Sequence, residues 1–184
     1  AVIAFKRNPN DGSLRYLMHV ADETNGATGL NGATEIALSP DGKFLYVSDR
    51  NANGLVVIDL ANQKITTRIP LGESPEGVSI SLDGRWVVAA IELTNSVTFI
   101  DTDTQRVDFS IKTSGKNPEH AEFSPDGQQV VMGVADGTAH IWELSLLEEQ
   151  DPDHMAMMVK CTTPSRLLDE VWPHPGADSA CEPW

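Results

Sequence analysis

Short apolar runs separated by turn residues follow one another along most of the chain. Residues 35–38, 44–47 and 55–58 are typical: each is four residues long and rich in aliphatic or aromatic side chains. Short runs of this kind, bounded by Gly, Pro, Asn and Asp, predict β-strands. No stretch before residue 145 has the 3.6-residue apolar period of a helix. The pattern therefore predicts an all-β fold.

A four-residue turn motif occurs three times between these runs. Ser39-Pro40-Asp41-Gly42 recurs as Ser81-Leu82-Asp83-Gly84 and as Ser124-Pro125-Asp126-Gly127, at spacings of 42 and 43 residues. Proline at the second position presets φ, aspartate suits the third position and glycine closes the turn, as in a type I turn. Each copy is therefore predicted to join the first two strands of a repeated unit.

A second marker recurs in phase with the first. A turn followed by a third strand occupies residues 53–59, 95–101 and 136–142, and a fourth strand follows at residues 64–69 and 106–111. Four antiparallel strands in a repeat of this length are the signature of a β-propeller blade. A β-sandwich has similar strand spacing, but it has no internal copy at this period.

The sequence therefore predicts a β-propeller fragment of about three and a half four-stranded antiparallel blades with an irregular C-terminal tail. The predicted segments are the outer strands of a partial blade at residues 1–20, blades at residues 33–70, 76–112 and 119–145, and the tail at residues 146–184. Propellers close with about four to eight blades. Either two chains complete a ring as a homodimer, or the chain is part of a longer product.

Charge and hydropathy narrow the range of partners. The chain has 13 basic and 27 acidic residues and a net charge of −14. Such a surface repels phosphate backbones, which argues against nucleic acid as a partner. No apolar run approaches the roughly 18 residues of a membrane span. The first residues lack the basic and then apolar pattern of a signal peptide, which leaves open a mature form, a cytoplasmic protein or an excised fragment.

Part of the chain resembles a known propeller family. Residues 1–60 are similar to the seven-bladed lactonase-type propellers, which include 6-phosphogluconolactonase. The matching stretches are residues 2–5, 8–14, 29–33 and 39–48. This resemblance implies a propeller fold and, as one alternative, hydrolysis of a lactone.

A second resemblance covers residues 33–135, which are similar to the YVTN-type propellers found beside bacterial quinoprotein and haem systems. It rests on residues 75–80, 94–101 and 118–127, and residues 136–142 are similar to the end of a WD repeat. This resemblance implies a bacterial protein in the periplasm or outside the cell. It also implies a further alternative, an accessory propeller of a haem or quinone redox system.

The candidate binding residues lie where the first strand of each blade begins. Glu35, Glu76 and Glu119 are interpreted as equivalent positions, and their carboxylates would converge at the mouth of the central channel. His120 is the one histidine there. Converging carboxylates bind a cation or a cationic group, or have raised pKa values. The alternative is that each Glu accepts backbone hydrogen bonds within its own blade.

No catalytic motif occurs in the sequence: GxSxG, the P-loop, GxGxxG and HExxH are all absent. For lactone hydrolysis, Glu76, Glu119 or His120 could supply a base. No arginine occupies the corresponding strand starts, however. No metal site or cofactor is predicted.

The tail contains both cysteines, Cys161 and Cys181, which could close a loop in an oxidising compartment or remain thiols. Its alternatives are an extension packed on the last blade or a partly disordered segment. The favoured function is a non-catalytic propeller module that binds a protein partner or a small ligand at its channel face.

Overall fold

Antiparallel strands account for all the regular structure in the described part of the chain. A computed structural model describes residues 1–20, 30–113, 115–135, 137, 139–144 and 161–162. Within these ranges no helix occurs. In particular, the described residues provide no long apolar helix that could cross a membrane.

The strands form one two-stranded sheet and three four-stranded sheets, each in chain order. The two-stranded sheet contains β1 (Val2–Arg7) and β2 (Leu14–Val20). The first blade contains β3 (Ala33–Leu38), β4 (Phe44–Asp49), β5 (Gly54–Asp59) and β6 (Lys64–Pro70). The second contains β7 (Pro75–Ile80), β8 (Trp86–Ile91), β9 (Ser96–Asp101) and β10 (Arg106–Lys112). The third contains β11 (Pro118–Phe123), β12 (Gln129–Val134), β13 (Ala139–Glu143) and β14 (Cys161–Thr162). The predicted all-β architecture of four-stranded antiparallel blades is confirmed.

The fourth strand of the third blade was not predicted. Cys161 pairs with Trp142 and Thr162 pairs with Ile141, so β14 comes from the segment that was assigned to an irregular tail. The earlier blades connect their third and fourth strands through four residues, whereas residues 144–160 intervene here. The 42-residue period fails at this point, and periodicity could not locate the strand. The other predictions for the tail, including the pairing of Cys181, lie outside the described residues.

Adjacent sheets pack face to face, which explains why β8, a middle strand of the second blade, is apolar throughout. In β8, Val87 and Ala89 pack toward the first blade, while Val88 and Ala90 pack toward the third. Every residue of β8 is buried. Burying both faces of a strand removes the usual alternation of apolar and polar positions.

The outermost faces remain open within the described residues. In β12, Val130 and Met132 are buried against the second blade, whereas Val131 on the other face is 38% exposed. At the opposite end, Ile3 and Phe5 of β1 are more than half exposed. These two faces correspond to the unpaired blade faces that a partial propeller must have.

The repeated turns stabilise the joint between the first two strands of each blade. In the first turn, the Ser39 hydroxyl donates to Asp41 Oδ1 at 2.7 Å, and the Lys43 amide donates to the same oxygen at 3.0 Å. The ion pair with Lys43 and these hydrogen bonds lower the pKa of Asp41 to about 2. Hydrogen bonds from Ser81 and Ser124 likewise lower the pKa of Asp83 and Asp126.

These turn aspartates should make the fold acid-sensitive below about pH 5. Their unfolded pKa is about 3.8 and that of folded Asp41 is about 2, so the unfolded chain binds more protons in this window. The stabilisation is complete above about pH 5 and is lost as the pH falls toward 2. Thermal unfolding followed by circular dichroism should show a midpoint that drops between pH 5 and 2. A variant with asparagine at Asp41, Asp83 and Asp126 should be less stable at pH 7, and its unfolding midpoint should fall less between pH 5 and 2. Unfolding midpoints that fall in parallel with pH in the two proteins would contradict this prediction.

Candidate functional site

A β-bulge opens the inner strand of each described blade. Between Ala33 and Ile36 the first blade's inner strand advances three residues while its partner strand advances two, from Asp49 to Val47. The same shift occurs at the start of β7 and of β11. Of the predicted site residues, Glu35, Glu76 and Glu119 lie in these bulges and His120 directly follows the third. Bulges redirect side chains and are frequent beside functional sites.

The strand pairing corrects the predicted equivalence of the three glutamates. Ile36, Val78 and Ala121 occupy one repeat position, because they face Val47, Ala89 and Met132 in their own blades. The residues directly before these three are Glu35, Gly77 and His120, so Glu35 corresponds to Gly77 and His120. Glu76 and Glu119 do correspond to each other, and their counterpart in the first blade is Thr34. The predicted equivalence of Glu35 is therefore wrong by one residue, because it matched acidic residues and ignored their distance from the turn serine.

Glu35 and His120 meet across the second blade. Glu35 Oε2 lies 3.2 Å from His120 Nδ1 and accepts a hydrogen bond from the Val78 amide at 2.9 Å. Gly77 lies between them, and a Cβ on it would come within 2.7 Å of the Glu119 carbonyl oxygen and the His120 Cα. The missing side chain of Gly77 therefore lets one carboxylate link the inner strands of three blades.

Glu76 takes part in a second cluster, centred on Arg50. Arg50 follows β4, and its Nε lies 3.0 Å from Glu76 Oε1, while its Nη2 donates to Glu92 Oε2 at 2.9 Å. Arg50 Nε also donates to Ser74 Oγ at 3.0 Å, and Ser74 Oγ donates to Glu92 Oε2 at 2.8 Å. Asn117, at the start of the third blade, donates to Glu92 Oε1 at 3.3 Å. This Arg50 cluster therefore spans three blades at the channel mouth.

The two carboxylates of the Arg50 cluster have opposite pKa shifts. Burial raises the pKa of Glu76, although the charge of Arg50 opposes this. Hydrogen bonding from Ser74 lowers the pKa of Glu92. Neighbouring carboxylates whose environments separate their pKa values are suited to different roles as proton donor and acceptor.

The backbone at Ser74 is in a sparsely populated conformation. Its φ is 61° and its side chain is buried. Non-glycine residues in the left-handed region cost free energy and cluster at functional sites. The hydrogen bonds of Ser74 to Arg50 and Glu92 hold this conformation in place.

Glu119 stands apart from both clusters. Its side chain is exposed, and among the described residues it has no ion pair or side-chain hydrogen bond. The predicted convergence of Glu35, Glu76 and Glu119 in a closed ring stays a prediction. Within the described ranges no group of three His, Cys, Asp or Glu side chains could hold a metal ion.

Sequence reasoning missed Arg50, Ser74 and Glu92. Arg50 and Glu92 each lie 11 residues after the turn serine of their blade, so they occupy the same repeat position in adjacent blades. Aligning the repeats by their turn serines places these opposite charges at one position in neighbouring blades. That alignment could have indicated a contact between them. Arg50 also supplies the cation that the inner strand starts lack.

A groove of about 720 Å³ lies at the other end of the sheets, between the second and third blades. Its lining is mixed, with apolar side chains from Leu82, Trp86, Phe123 and Leu144 beside polar and charged residues. The carboxylates there, Asp83 and Asp126, are already bonded within their turns. The channel mouth combines unlike charges from two blades with a hydrogen-bond donor from the third, and it is the stronger candidate for recognition or chemistry.

The sheets, their radial stacking and the polar channel mouth define a β-propeller. The chain belongs to the lactonase family of seven-bladed β-propellers, whose family model matches residues 1–110. It is 33% identical over 66 residues to the 6-phosphogluconolactonase of Serratia proteamaculans (strain 568). That match covers 34% of the chain and 20% of the relative, so the chain matches about a fifth of that protein's length.

Solved structures support the same fold. A chain of hydrazine synthase from Kuenenia stuttgartiensis superposes with a TM-score of 0.59 at 23% identity, covering 68% of this chain and 36% of that one. The β-propeller domain of Cps50 (Swd1) from Myceliophteria thermophila superposes with a TM-score of 0.59 at 14% identity, covering 72% and 38%. At these identities the likeness establishes the fold alone.

Proposed function

We propose that the channel mouth of this propeller binds a small polyhydroxylated carboxylate or its lactone through the Arg50 cluster. The observation that carries the proposal is the position of Arg50, held by two carboxylates yet with 51% of its side chain exposed. A guanidinium fixed at one edge can still present donors to a carboxylate or carbonyl oxygen of a ligand. The lactonase family match supports this choice of ligand class.

The surrounding groups suit a polar ligand. Glu76 and Glu92 are largely buried, with 18% and 17% of their side chains exposed, so the arginine is held in one orientation. Glu35 and His120 offer an acceptor and a donor to hydroxyl groups from the neighbouring bulges. A site that is preorganised in this way loses less side-chain entropy when a ligand binds.

Calorimetric titration of gluconate into the 184-residue chain tests this proposal. Removing one charged hydrogen-bond donor should weaken binding about tenfold or more, so we expect that loss in Arg50→Gln. Arg68→Gln is the matched control, because Arg68 is an exposed arginine on the outer strand β6. Arg50→Lys keeps the charge and should retain part of the affinity. Equal affinities in Arg50→Gln and Arg68→Gln, or no binding by the unaltered chain, would reject the proposal.

Hydrolysis of the lactone is the second candidate, favoured by the family match and by the separated pKa values of Glu76 and Glu92. A carboxylate at this site would take a proton from a water molecule as the oxygen of that water attacks the lactone carbonyl carbon. Arg50 would stabilise the resulting oxyanion, and the ring oxygen would leave with a proton to give the hydroxy acid. Saturable turnover of glucono-1,5-lactone that is lost in Glu76→Gln and retained in Glu122→Gln would support hydrolysis. Binding without turnover above the uncatalysed rate would leave the protein a binding module.

A further inference from the structure

The turn between β1 and β2 concentrates positive charge on an otherwise acidic chain. A cavity of about 340 Å³ opens beside this turn. Its lining consists of Lys6, Arg7, Asn8, Pro9, Ser13 and Arg15. Three of the chain's 13 basic residues therefore line one small cavity, although acidic residues outnumber basic ones by 27 to 13.

The corresponding turns of the first and second blades have a different charge pattern. There the last cross-strand pair before the turn joins an acid and a base, Asp59 with Lys64 and Asp101 with Arg106. In the two-stranded sheet the last pair is Arg7 with Leu14, and Lys6 faces Arg15 in the pair before it. Like charges directly opposite each other destabilise a sheet. The β1–β2 turn thus keeps an unfavourable arrangement that the corresponding turns of the first and second blades avoid.

None of the three cations is neutralised by a described neighbour. No carboxylate in the described part of the chain forms an ion pair with Lys6, Arg7 or Arg15. The nearest acid in sequence, Asp11, accepts the Ser13 amide at 2.8 Å, and hydrogen bonding from Ser13 lowers its pKa. Asp11 is not part of the lining, which contains three cations and no carboxylate, so the cavity has a net positive charge.

We propose that this cavity binds a small multivalent oxyanion, a phosphate or polycarboxylate, at a site separate from the channel mouth. The two arginines can each present a planar pair of N–H donors to such an anion, and Lys6 adds a third charge. Asn8 accepts the Asn10 amide through its Oδ1, so its NH₂ group is a further donor in the lining. A bound anion would relieve the repulsion between Lys6 and Arg15.

The size of the cavity and the charge of the chain select a small ligand over a polymer. A volume of about 340 Å³ is at the lower end of the range for small-molecule sites. A nucleic acid or an anionic membrane would also meet the remaining surface, whose excess of acidic residues repels it.

Titration of pyrophosphate and of citrate into the full chain at constant ionic strength tests the site, and the two probes distinguish phosphate from carboxylate ligands. Replacing Arg7 and Arg15 together with glutamine should weaken the binding of the preferred anion at least about tenfold. The matched control replaces Lys64 and Arg106 with glutamine. These are the basic residues at the corresponding turns of the first and second blades, and their loss should change the anion affinity less than about twofold. Arg50→Gln should leave the affinity for pyrophosphate unchanged, because pyrophosphate is outside the ligand class proposed for the channel mouth. This control separates the result from the fate of the channel-mouth proposal.

A charge-reversal variant keeps the test interpretable if the double variant folds poorly. Lys6→Glu places opposite charges across the strand pair, so we expect a higher midpoint of thermal unfolding together with loss of anion binding. Pyrophosphate should raise the unfolding midpoint of the unaltered chain and have no effect on Lys6→Glu. The proposal would be overturned if each anion bound the unaltered chain, the Arg7 and Arg15 variant and the control variant with the same affinity. A failure of both anions to bind the unaltered chain would overturn it as well.

Discussion

Replacing Phe99 with alanine should lower the free energy of unfolding by about 3–5 kcal/mol, the usual loss for a fully buried aromatic side chain. Phe99 is completely buried between the second and third blades. Its ring stacks on Phe109 at 4.5 Å between centroids and meets the edge of Phe123 at 6.3 Å. The substitution therefore leaves a cavity at the interface of two blades, where the surrounding backbone is fixed by sheet hydrogen bonds. Urea unfolding followed by circular dichroism measures the loss.

Phe5→Ala is the control for this prediction, because Phe5 is 52% exposed and contacts mainly Tyr16. Its effect should be below about 1 kcal/mol, since little apolar surface is returned to water. Similar losses for the two variants would show that the second and third blades do not pack face to face as described.

Gly77→Ala should destabilise the chain by about 1–3 kcal/mol, a typical cost of overpacking against atoms that cannot move away. The added Cβ would lie 2.7 Å from the Glu119 carbonyl oxygen and 3.0 Å from Glu35 Oε2. It would push the starts of β7 and β11 apart and break the contact between Glu35 and His120. Urea unfolding gives the loss of stability, and the NMR signals of the His120 ring report the loss of its carboxylate neighbour.

Gly133→Ala is the matched control, since a Cβ at Gly133 meets nothing within 4 Å. It lies in β12 and should be neutral or slightly stabilising, because alanine reduces the conformational entropy of the unfolded chain. If Gly77→Ala were as stable as Gly133→Ala, the close approach of the inner strands would be wrong.

The fold could be predicted from the sequence wherever local chemistry repeats. The turns at Ser39, Ser81 and Ser124 each use the same serine and aspartate hydrogen bonds, so their spacing alone determined the strand order. The fourth strand of the third blade could not be found in this way. Its pairing with β13 depends on a contact across residues 144–160, for which the repeat contains no information.

The candidate site was predicted only in part. The inner strand starts were the right region, and Glu35, Glu76 and His120 do lie there in contact with other charged groups. Which of them meet depends on the bulge, because one extra residue changes the direction of a side chain. Arg50 was missed because its role depends on Glu76 and Glu92 of the adjacent blade, a contact between repeats and not within one.

Completion of a ring by two copies of the chain stays a prediction. The two-stranded sheet is interpreted as the outer strands of a partial blade, and β1 pairs with β2 alone among the described strands.

Backbone amide NMR during a gluconate titration tests the central claim, ligand binding at the channel mouth, most directly. The account predicts shift changes at Arg50, Ser74, Glu76 and Glu92 that saturate together and disappear in Arg50→Gln. Changes centred instead on Leu82, Trp86 and Gln128, which line the groove at the other end of the sheets, would contradict it.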